Sequence, residues 1–426
     1  MKLLRAEILA IGSELLHGGR VDSNSLFIAE MLAQCGVSVS KKVALSDELR
    51  DIQSALRSSS KQVDVVILTG GLGSTVDDRT REAVATTFGR PLAVRRKAMQ
   101  ILKRQVQGRG RMVTPLLARQ ALMPSGAIVL DNLVGTAPGF YIQQGKTHVF
   151  VLPGVPREAR EMMDLQVQSI LKRKLKATAV LWSHAFNTVG LPETDIQQRV
   201  SPLFQQSSAV GLSLLASTKG VKVTLSCWRP KNPKSTRYNK PQNFPEGDFL
   251  IQQVRKTLEP WIFSEGEETM EEVVGQLLSS QNWTLALAES CTGGLIAHRL
   301  TDVPGSSTYL DRGVVTYSNH AKQELLGVSP LLLRKYGAVS AQVAEAMAKG
   351  IRVQSRVDLG VSVTGIAGPG GGSAKKPVGL VYMAIDGPRG SQSNRYQFWG
   401  DRAEIKIRSS QAALNMIRRY LLQTKV

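Results

Sequence analysis

The sequence has few cysteines and no apolar run long enough to cross a bilayer. Its only cysteines are Cys35, Cys227 and Cys291, and no two of them are spaced as a metal clip or a disulfide framework. The amino-terminal MKLLRAEILAIG carries charge inside its apolar stretch, so it does not have the pattern of a secretory signal. We therefore expect a cytoplasmic protein in a reducing compartment, with no membrane partner.

Acidic side chains are also scarce relative to basic ones. The 426 residues include 54 Lys and Arg but only 34 Asp and Glu, which gives a formal net charge of +20. Such an excess attracts anions in general, including nucleotides, without selecting among them. Most of this charge is expected on solvated surface, so nucleic acid is not expected as a specific partner. The length exceeds one ordinary core and predicts about two to four domains.

A small-residue turn between a predicted strand and a predicted helix contains the first candidate catalytic residue. The strand covers 283–288, the turn Ser-Cys-Thr-Gly-Gly covers 290–294, and the helix begins at 295. A hydroxyl at this turn stands clear of both elements, which makes Ser290 a candidate nucleophile. The amide N–H groups of the helix end are expected to face the same space and to hold a developing oxyanion.

The next predicted strand-to-helix junction supplies a candidate base. Ser318 or Asn319 can cap the helix there, and Lys322 then falls in its first turn. The helix macrodipole and partial burial would lower the pKa of Lys322, so that a neutral amine could accept the proton of Ser290. Tyr317, just before the turn, could orient either group.

Other interpretations of these residues stay open. Ser290 and Thr292 could simply cap the helix, and Lys322 could be a solvated surface lysine. Cys291 is a rival nucleophile, but no sequence-adjacent group stands out to activate its thiol, which favours Ser290. His298 lies inside the predicted helix and is expected to be a packed or surface histidine.

A glycine-rich loop follows a further predicted strand at 358–364 and precedes another at 378–385. Glycines let the backbone approach a ligand and aim N–H groups at an anion, and open α/β sheets bind ligands where strands end. We predict that this loop and the serine turn bind the substrate, with oxyanion donors in one or the other. The predicted substrate-binding residues are Thr292, Gly293, Gly294, Thr364, Gly365, Gly368, Gly370 and Gly371.

The amino-terminal half alternates strand and helix patterns, which predicts a doubly wound parallel sheet. A strand at 63–68 leads into TGGLGSTVDD at 69–78, whose glycines can hold a phosphate against a helix N-terminus. Asp77 or Asp78 could hold a divalent cation such as Mg²⁺. Alternatively, one of these aspartates caps the helix predicted at 79–88.

Four segments of the carboxy-terminal part together resemble one known family. They are AESCTGG (288–294), DRGVVTYSNHAKQELLGV (311–328), GAVSAQVAEAMAKG (337–350) and VTGIAGPGGGSAKKPVGLVY (363–382). They look like the CinA C-terminal family, the nicotinamide-nucleotide amidases. The resemblance implies hydrolysis of nicotinamide mononucleotide to nicotinate mononucleotide and ammonia without a cofactor. In that family the AESCTGG serine is the nucleophile and the SNxAK lysine the base, which are Ser290 and Lys322 here.

Residues 1–170 resemble the N-terminal domain of CinA proteins, itself similar to the MogA/MoaB molybdopterin-binding fold. The motifs are AIGSELLHGGRVDSN, LTGGLGSTVDDRTREA, NLVGTAPGF and LPGVPRE, with Ser13 and Ser74 where the family usually has threonine and proline. Some members split ADP-ribose with a divalent metal, so the resemblance implies an ADP-ribose pyrophosphatase beside the amidase, in pyridine-nucleotide salvage. The nucleotide-binding residues implied are Glu14, Asp22, Asn24, Gly70, Gly71, Gly73, Asp77 and Asp78, the last two also as metal ligands.

Between the two halves the sequence signals are weaker. Strands are predicted at 185–190 and 221–228, a helix at 193–203, and a solvated loop at 229–247. The run GLPETDIQQRV (190–200) resembles the small KH-like middle domain of CinA proteins, but no convincing GxxG loop accompanies it. We interpret this segment as a spacer or a dimerisation element.

These observations predict an α/β chain of two three-layer α/β/α domains, at 1–172 and 266–426, joined by a small α+β KH-like domain at 173–265. A homodimer is expected. The predicted function is a Ser-Lys amidase of nicotinamide mononucleotide. The alternative is a nucleotide-, pterin- or nucleic-acid-binding protein without catalysis, which the presence of both Ser290 and Lys322 disfavours.

Overall fold

The computed structural model describes residues 3–108, 110–205, 209–230 and 244–422. Most of the loop predicted at 229–247 lies outside these ranges. The chain divides into two compact units, Met1–Trp182 with Cys227–Gln242 and Ser183–Ser226 with Asn243–Val426. Across the described ranges, no helix combines the length and the apolar character needed to cross a membrane.

The first unit is a mixed β-sheet with helices on both faces. Its strands are β1 (Leu4–Ile11), β2 (Val37–Leu45), β3 (Val65–Thr69), β4 (Leu92–Val94), β5 (Leu122–Pro124), β6 (Ile128–Leu130), β7 (Gly139–Gln144) and β8 (Thr147–Leu152). Its helices are α1 (Ser13–Leu16), α2 (Asn24–Gln34), α3 (Leu49–Gln62), α4 (Thr80–Thr87), α5 (Arg96–Gln107), α6 (Pro115–Ala118), α7 (Pro156–Met162) and α8 (Gln168–Lys174). Six strands form the main sheet, in the order β2-β1-β3-β8-β7-β6, and β4 pairs with β5.

Alternating side chains of the central strands fill two separate cores. Ile8 and Ile67 pack in a buried cluster with residues of α2, α7 and α8. Their neighbours Leu9 and Leu68 pack on the opposite face with residues of α3, α4 and α5. A strand buried on both faces requires apolar residues along its length, which is the pattern of residues 65–68 in β3. The predicted three-layer α/β/α architecture is confirmed for this unit.

The sheet predicted as parallel in this unit is parallel in part only. Strands β1, β2, β3 and β8 are parallel, but β7 runs antiparallel to β8 and β6 antiparallel to β7. The cause is local, since only Gly145 and Lys146 separate β7 from β8, and Gly145 has a φ of 59°. A two-residue connection with a positive φ makes a hairpin and cannot make a parallel crossover.

The second unit contains two sheets. The strands of these sheets are β9 (Ala179–Thr188), β10 (Gly211–Ser217), β11 (Gly220–Pro230), β12 (Ile262–Glu265), β13 (Leu285–Glu289), β14 (Leu310–Val315), β15 (Leu359–Gly365), β16 (Leu380–Asp386) and β17 (Gln392–Gln397). Residues 179–182 of β9 and 227–230 of β11 fall within the ranges of the first unit. The helices of the second unit are α9 (Glu193–Phe204), α10 (Pro245–Leu258), α11 (Met270–Gln281), α12 (Leu295–Thr301), α13 (Asn319–Leu326), α14 (Pro330–Tyr336), α15 (Ala341–Ser355) and α16 (Arg402–Leu421).

The smaller sheet has the order β10-β11-β9-β12 and is accompanied by α9 and α10. The pairs β10–β11 and β9–β12 are antiparallel, as expected for an α+β layer. Helix α10 begins at Pro245, inside the stretch predicted as loop, because a proline at the first helical turn and acidic residues after it favour a helix start. The α+β character predicted for the middle segment is confirmed.

The larger sheet has the order β14-β13-β15-β16-β17 and carries the candidate active site. Strands β13, β14 and β15 are parallel, whereas β16 and β17 are antiparallel. Leu285 and Leu287 face α11, α12 and α16, while Ala286 and Ala288 face α13, α14 and α15. This sheet therefore also has helices on both faces, and the carboxyl ends of its three parallel strands meet at one edge.

Candidate active site

Ser290 directly follows the carboxyl end of β13, the middle one of the three parallel strands, as predicted. Its backbone N–H donates to the Val363 carbonyl at 3.0 Å, and its own carbonyl accepts from the Gly293 N–H at 3.1 Å. These two bonds tie the turn both to the neighbouring strand and to itself. The side chain is 8% exposed, so the hydroxyl lies in a protected position.

Lys322 reaches this hydroxyl from the neighbouring junction. Ser318 caps α13 by accepting a hydrogen bond from the Ala321 N–H at 3.0 Å, and Lys322 follows in the first turn. The Lys322 Nζ lies 3.0 Å from the Ser290 Oγ, and the residue is 1% exposed. Burial lowers the pKa of Lys322, because a low-dielectric surrounding disfavours the ammonium form. The structure therefore places the predicted nucleophile and base in contact.

Two backbone carbonyls fix the orientation of the amine. Lys322 Nζ donates to the Thr316 carbonyl at 2.7 Å and lies 3.5 Å from the Tyr317 carbonyl. A neutral primary amine has two N–H groups and one lone pair. When both N–H groups point at the carbonyls, the lone pair is directed at the Ser290 Oγ, which is the geometry for accepting its proton.

Glu289 is a site residue that the sequence reasoning missed. Its carboxylate is 1% exposed and accepts hydrogen bonds from the N–H groups of Ile296 at 3.2 Å and Ala297 at 2.9 Å. Its backbone carbonyl accepts from the Thr316 N–H at 2.8 Å. Glu289 thus connects the end of β13 to the residue that follows β14 and to the start of α12. An acidic residue a few positions before a predicted helix start is the signal that could have revealed it.

The contact of Glu289 with α12 bears on the prediction that amide groups at the N-terminus of this helix hold an oxyanion. The Glu289 carboxylate already takes two of them, so they are not free to bind a substrate oxygen. Gly293 is also engaged, since its N–H donates to Ser290. Among the described residues, no backbone carbonyl accepts from the N–H of Cys291 or Thr292. These two amides beside Ser290 are therefore available as donors.

The remaining predicted substrate-binding residues have different environments. Thr364 is buried, and its hydroxyl donates to the Ala338 carbonyl at 2.8 Å. Gly365 is opposite Val381 in the β15–β16 ladder, where an added Cβ would lie 2.7 Å from the Val381 side chain. Packing within the sheet therefore explains this glycine. Gly370 has open space around it, so its backbone is accessible to a ligand.

Arg402 joins the glycine loop to Tyr317. It donates to the Gly368 carbonyl at 2.6 Å and to the Tyr317 hydroxyl at 2.8 Å. Asp401 caps α16 by accepting from the Glu404 N–H. Tyr317 is 61% exposed and contacts the dyad through its backbone carbonyl, while its hydroxyl oxygen accepts a hydrogen bond from Arg402.

Gly293, Gly294 and Gly371 adopt positive φ angles of 61°, 88° and 82°. The first two reverse the chain between Ser290 and α12, a conformation that favours glycine. Lys406 lies close by, with its Nζ 3.6 Å from a Cβ built on Gly293. Basic side chains therefore border the turn. His298 is on the surface, with its imidazole 3.7 Å from the Asp302 carboxylate, and it takes no part in the site.

Cys291 lies next to Ser290 in a buried position. The residue is 6% exposed, and burial raises the pKa of its thiol to about 12, with the Glu289 carboxylate adding to the effect. We expect iodoacetamide at about pH 8 to alkylate it on the order of 10³-fold more slowly than a thiol with the ordinary pKa of about 8.5. Mass spectrometry of the Cys291 peptide measures this rate, and unfolding in urea should restore ordinary reactivity. Rapid alkylation of the folded protein would contradict the assignment.

The predicted amino-terminal site is built mainly from structural contacts. Asn24 is buried and donates to the Thr69 hydroxyl at 2.8 Å and to the Gly154 carbonyl at 2.9 Å. Its Oδ1 has no partner among the described residues. Asp22 accepts from the Ser25 N–H at 3.0 Å, so it caps the start of α2. Glu14 is exposed on α1.

The glycines after β3 are explained by close packing. An added Cβ on Gly70 would lie 2.1 Å from the Ile11 carbonyl oxygen, one on Gly71 would lie 2.2 Å from the Thr80 hydroxyl, and one on Gly73 would lie 2.3 Å from the Asp78 carboxylate. Gly70 and Gly71 also have positive φ angles of 109° and 63°. The turn is therefore compact, whether or not a ligand binds it.

Asp77 and Asp78 do not form a preformed metal site. The Asp78 carboxylate accepts from the Gly73 N–H at 2.7 Å and from the Thr75 N–H at 2.8 Å, which organises the turn. Asp77 is exposed. In the part of the chain that the structure describes, no group of three or more His, Cys, Asp or Glu could hold a metal. Nor does either aspartate cap α4, whose N-cap is Arg79 without a side-chain bond.

Comparison with known proteins adds the family context. Residues 267–421 match the family model "CinA C-terminal domain", and residues 7–173 match "Probable molybdopterin binding domain". A CinA-like protein of Geotalea uraniireducens is 38% identical over 99% of both chains. One of Geotalea daltonii is 40% identical over 98% of this chain and 99% of its own. The solved structure of competence/damage inducible protein CihA from Agrobacterium tumefaciens is 44% identical, covers 36% of this chain and 96% of its own, and has a TM-score of 0.35.

Proposed function

The chain belongs to the CinA family, and from this membership and the buried Ser290–Lys322 contact we propose that it hydrolyses the carboxamide of nicotinamide mononucleotide to nicotinate mononucleotide and ammonia. The single observation that carries the proposal is the 3.0 Å contact between the Lys322 Nζ and the Ser290 Oγ. Burying an amine costs stability, because its charged form is poorly solvated in the protein interior. A buried lysine therefore calls for a functional explanation. Deprotonating the adjacent serine is such a function.

The reaction proceeds by acyl transfer. Neutral Lys322 accepts the hydroxyl proton while the Ser290 Oγ attacks the carboxamide carbon, and the carbonyl oxygen becomes an oxyanion. The N–H groups of Cys291 and Thr292 stabilise that charge. The Lys322 ammonium then protonates the leaving nitrogen, and ammonia departs. Water, deprotonated by the same amine, hydrolyses the acyl-enzyme and restores Ser290.

The basic residues at the turn complement the phosphate of the substrate. Lys406 lies beside Gly293, and Arg402 links the glycine loop to Tyr317. An anionic substrate is attracted to such a rim, and its phosphate would hold the pyridine ring at a fixed distance from the serine. We therefore expect nicotinamide itself, without ribose and phosphate, to be hydrolysed far more slowly than the mononucleotide.

The direct test is ammonia release from nicotinamide mononucleotide by the purified chain, in the presence of a chelator. We expect ammonia and nicotinate mononucleotide in equal amounts, and at most slow release from nicotinamide. Chelator should leave the rate unchanged, since the proposed steps use side chains and backbone amides alone. A folded protein that binds the mononucleotide without releasing ammonia would favour the alternative of a binding protein.

The rate is also expected to depend on pH through Lys322. Because burial lowers the pKa of the Lys322 amine, its reactive neutral form is reached at a lower pH than in an exposed lysine. The kcat/KM should therefore rise with pH and level off before the pH at which an exposed lysine loses its proton. Between the lowered pKa and the ordinary one the unfolded state binds the additional proton, so the contribution of Lys322 to stability also increases with pH there. A rate that falls as pH rises through neutrality would contradict this base.

For the first unit we propose nucleotide or pterin binding at the carboxyl ends of its strands. The buried Asn24 with an unpartnered Oδ1 favours a ligand that donates a hydrogen bond there. ADP-ribose pyrophosphatase activity stays a proposal, and no metal step is derived for it, because the described residues contain no group of three or more possible metal ligands. Titration with ADP-ribose, with and without Mg²⁺, tests both points: saturable binding weakened in Asn24→Leu supports the site, and no binding argues against it.

A further inference from the structure

A buried arginine joins three helices of the second unit. Arg299 lies on α12 and is 5% exposed. It donates to the Ser410 hydroxyl at 2.8 Å and to the Gln411 Oε1 at 2.7 Å, both on α16, and to the Glu271 carboxylate at 2.6 Å, on α11. The three partners are themselves buried. We call these four residues the Arg299 clamp.

The clamp holds an ion pair in the protein interior. Burial by itself raises the pKa of the Glu271 carboxyl, but the hydrogen bond and the charge of Arg299 hold that pKa below its ordinary value, so the pair is ionised near neutral pH. Replacing a buried ion pair with well-packed apolar residues is often neutral or even stabilising. Stability alone therefore does not account for an arginine here, whereas its planar fork of donors fixes the relative position of the helices that it joins.

On α12, the clamp lies close to the turn that contains the nucleophile. This helix begins at Leu295, directly after the turn of residues 290–294, and Arg299 is in its second turn. The Glu289 carboxylate holds the first turn through the N–H groups of Ile296 and Ala297. A displacement of α12 would therefore be passed on to Ser290.

On α16, the clamp is in line with the basic residues of the site. Arg402, Lys406 and Ser410 are spaced four residues apart, which places them on one face of the helix. The Lys406 Nζ lies 3.6 Å from a Cβ built on Gly293, in the serine turn. Only one helical turn, about 5.4 Å along the axis, separates Lys406 from Ser410. A shift of α16 against α12 would thus change the distance between these cations and the serine turn.

From this arrangement we propose that Arg299 is a positioning residue for the phosphate end of the substrate. By locking α12 to α16, it fixes the separation between the Ser290 hydroxyl and the cations of Arg402 and Lys406. The site then favours a substrate whose anionic group lies at a set distance from its carboxamide. This inference rests on the proposed function, since it concerns how the phosphate and the carboxamide of the mononucleotide are held together. Arg299 acts through the two helices and is not assigned a contact with the substrate.

Nicotinamide riboside supplies the test, because it is the mononucleotide without its phosphate. In Arg299→Lys the positive charge beside Glu271 is retained, but one ammonium cannot reproduce the fork that holds Ser410 and Gln411. We expect kcat/KM for nicotinamide mononucleotide to fall at least about tenfold and that for the riboside to fall less than about threefold, because displaced cations affect only the phosphate. A general loosening of the serine turn would instead lower both values by the same factor, and this result would overturn the proposal.

Arg418→Lys is the matched control. Arg418 is on the same helix and is 7% exposed, and it donates to the Ile262 carbonyl at 3.1 Å and to the Asn415 Oδ1 at 3.0 Å. Its replacement should leave the ratio of the two kcat/KM values as in the wild type. Ser410→Ala removes one bond of the clamp and keeps the ion pair. It should lower the same ratio, and it replaces Arg299→Lys if circular dichroism shows that this variant does not fold.

Binding measured without turnover separates this inference from the proposed function. In full-length Ser290→Ala, calorimetry should show that adding Arg299→Lys weakens mononucleotide binding at least about tenfold. If the wild type releases no ammonia but this weakening occurs, the amidase proposal fails and the positioning role stands. If the wild type is active but neither the ratio nor the binding changes, the positioning role fails and the amidase stands. Absence of mononucleotide binding would also overturn the positioning role.

Discussion

Replacing Lys322 with methionine is expected to lower the rate of mononucleotide hydrolysis by at least about 10³-fold, the usual scale for removing the base that activates a nucleophile. Methionine has a similar length and is apolar, so it can fill the same buried space. It cannot accept the proton from Ser290, whose Oγ lies 3.0 Å from the Nζ. Ser290→Ala removes the attacking oxygen and should have an effect of the same size.

The two variants also test whether serine and lysine act as a unit. If they do, the double variant should be little worse than either single one, because removing either group already prevents acyl transfer. Cys291→Ala is the matched control at the same turn, and we expect it to retain most of the activity because its thiol is protonated. Loss of activity in Cys291→Ala with retention in Ser290→Ala would reverse the assignment of the nucleophile.

Lys322→Met should change the free energy of unfolding much less than it changes the rate. The substitution removes the cost of burying an amine but leaves the Thr316 carbonyl without its 2.7 Å partner. An unsatisfied buried acceptor costs about 1–3 kcal/mol, which the first effect partly offsets. Thermal unfolding near neutral pH measures the difference. A variant that fails to fold would leave activity uninformative, and Lys322→Gln, which can still donate to the carbonyl, then replaces it.

Replacing Glu289 with alanine is expected to lower both activity and stability. The change removes the acceptor of two buried N–H groups, from Ile296 and Ala297. Leaving such donors unsatisfied costs about 1–3 kcal/mol in the free energy of unfolding. The turn that carries Ser290 would also lose its connection to α12. A small displacement of a nucleophile from its base can reduce the rate about 10²-fold.

Glu289→Gln keeps a hydrogen-bond acceptor at this position but removes its negative charge, so it tests which of the two is needed. Its amide oxygen can still accept from one N–H group, so we expect it to recover part of both the stability and the rate. Rates are compared at a temperature where every variant is folded, as judged by circular dichroism, so that the kinetic effect is not a loss of folded protein. Wild-type activity and wild-type melting temperature in Glu289→Ala would show that this carboxylate does not position the turn.

Local features of the site could be read from the sequence because they depend on residues close together in the chain. The Ser318 and Asp401 caps each bond to an N–H three residues later. The Gly293–Gly294 reversal follows from a pair of glycines between an apolar strand and a helix. Two successive strand-to-helix junctions suggested that Ser290 and Lys322, 32 positions apart, act together, and the resemblance to the CinA family supported that pairing.

Contacts that depend on how a turn folds, or on another segment of the chain, were predicted less well. Glu289 was missed because its carboxylate becomes a helix cap only after the turn folds back on β13. Tyr317 was expected to orient the dyad, and it contacts Lys322 through its carbonyl, whereas its hydroxyl accepts from Arg402, 85 positions later. Asp78 was considered as a metal ligand or a helix cap, and its carboxylate accepts from the N–H groups of Gly73 and Thr75. In each case the folded backbone or a residue of another segment decided between chemically reasonable roles.

The sequence by itself determined the α/β class, the turns, the caps and the two residues proposed for catalysis. Only the tertiary structure decided which side chains near Ser290 are buried, and burial shifts the pKa values of these side chains. Lys322 and Cys291 are both buried near Ser290, yet burial lowers the pKa of the amine and raises that of the thiol. The reason is that a low-dielectric environment favours the neutral form of each group, which is a competent base in lysine and a poor nucleophile in cysteine.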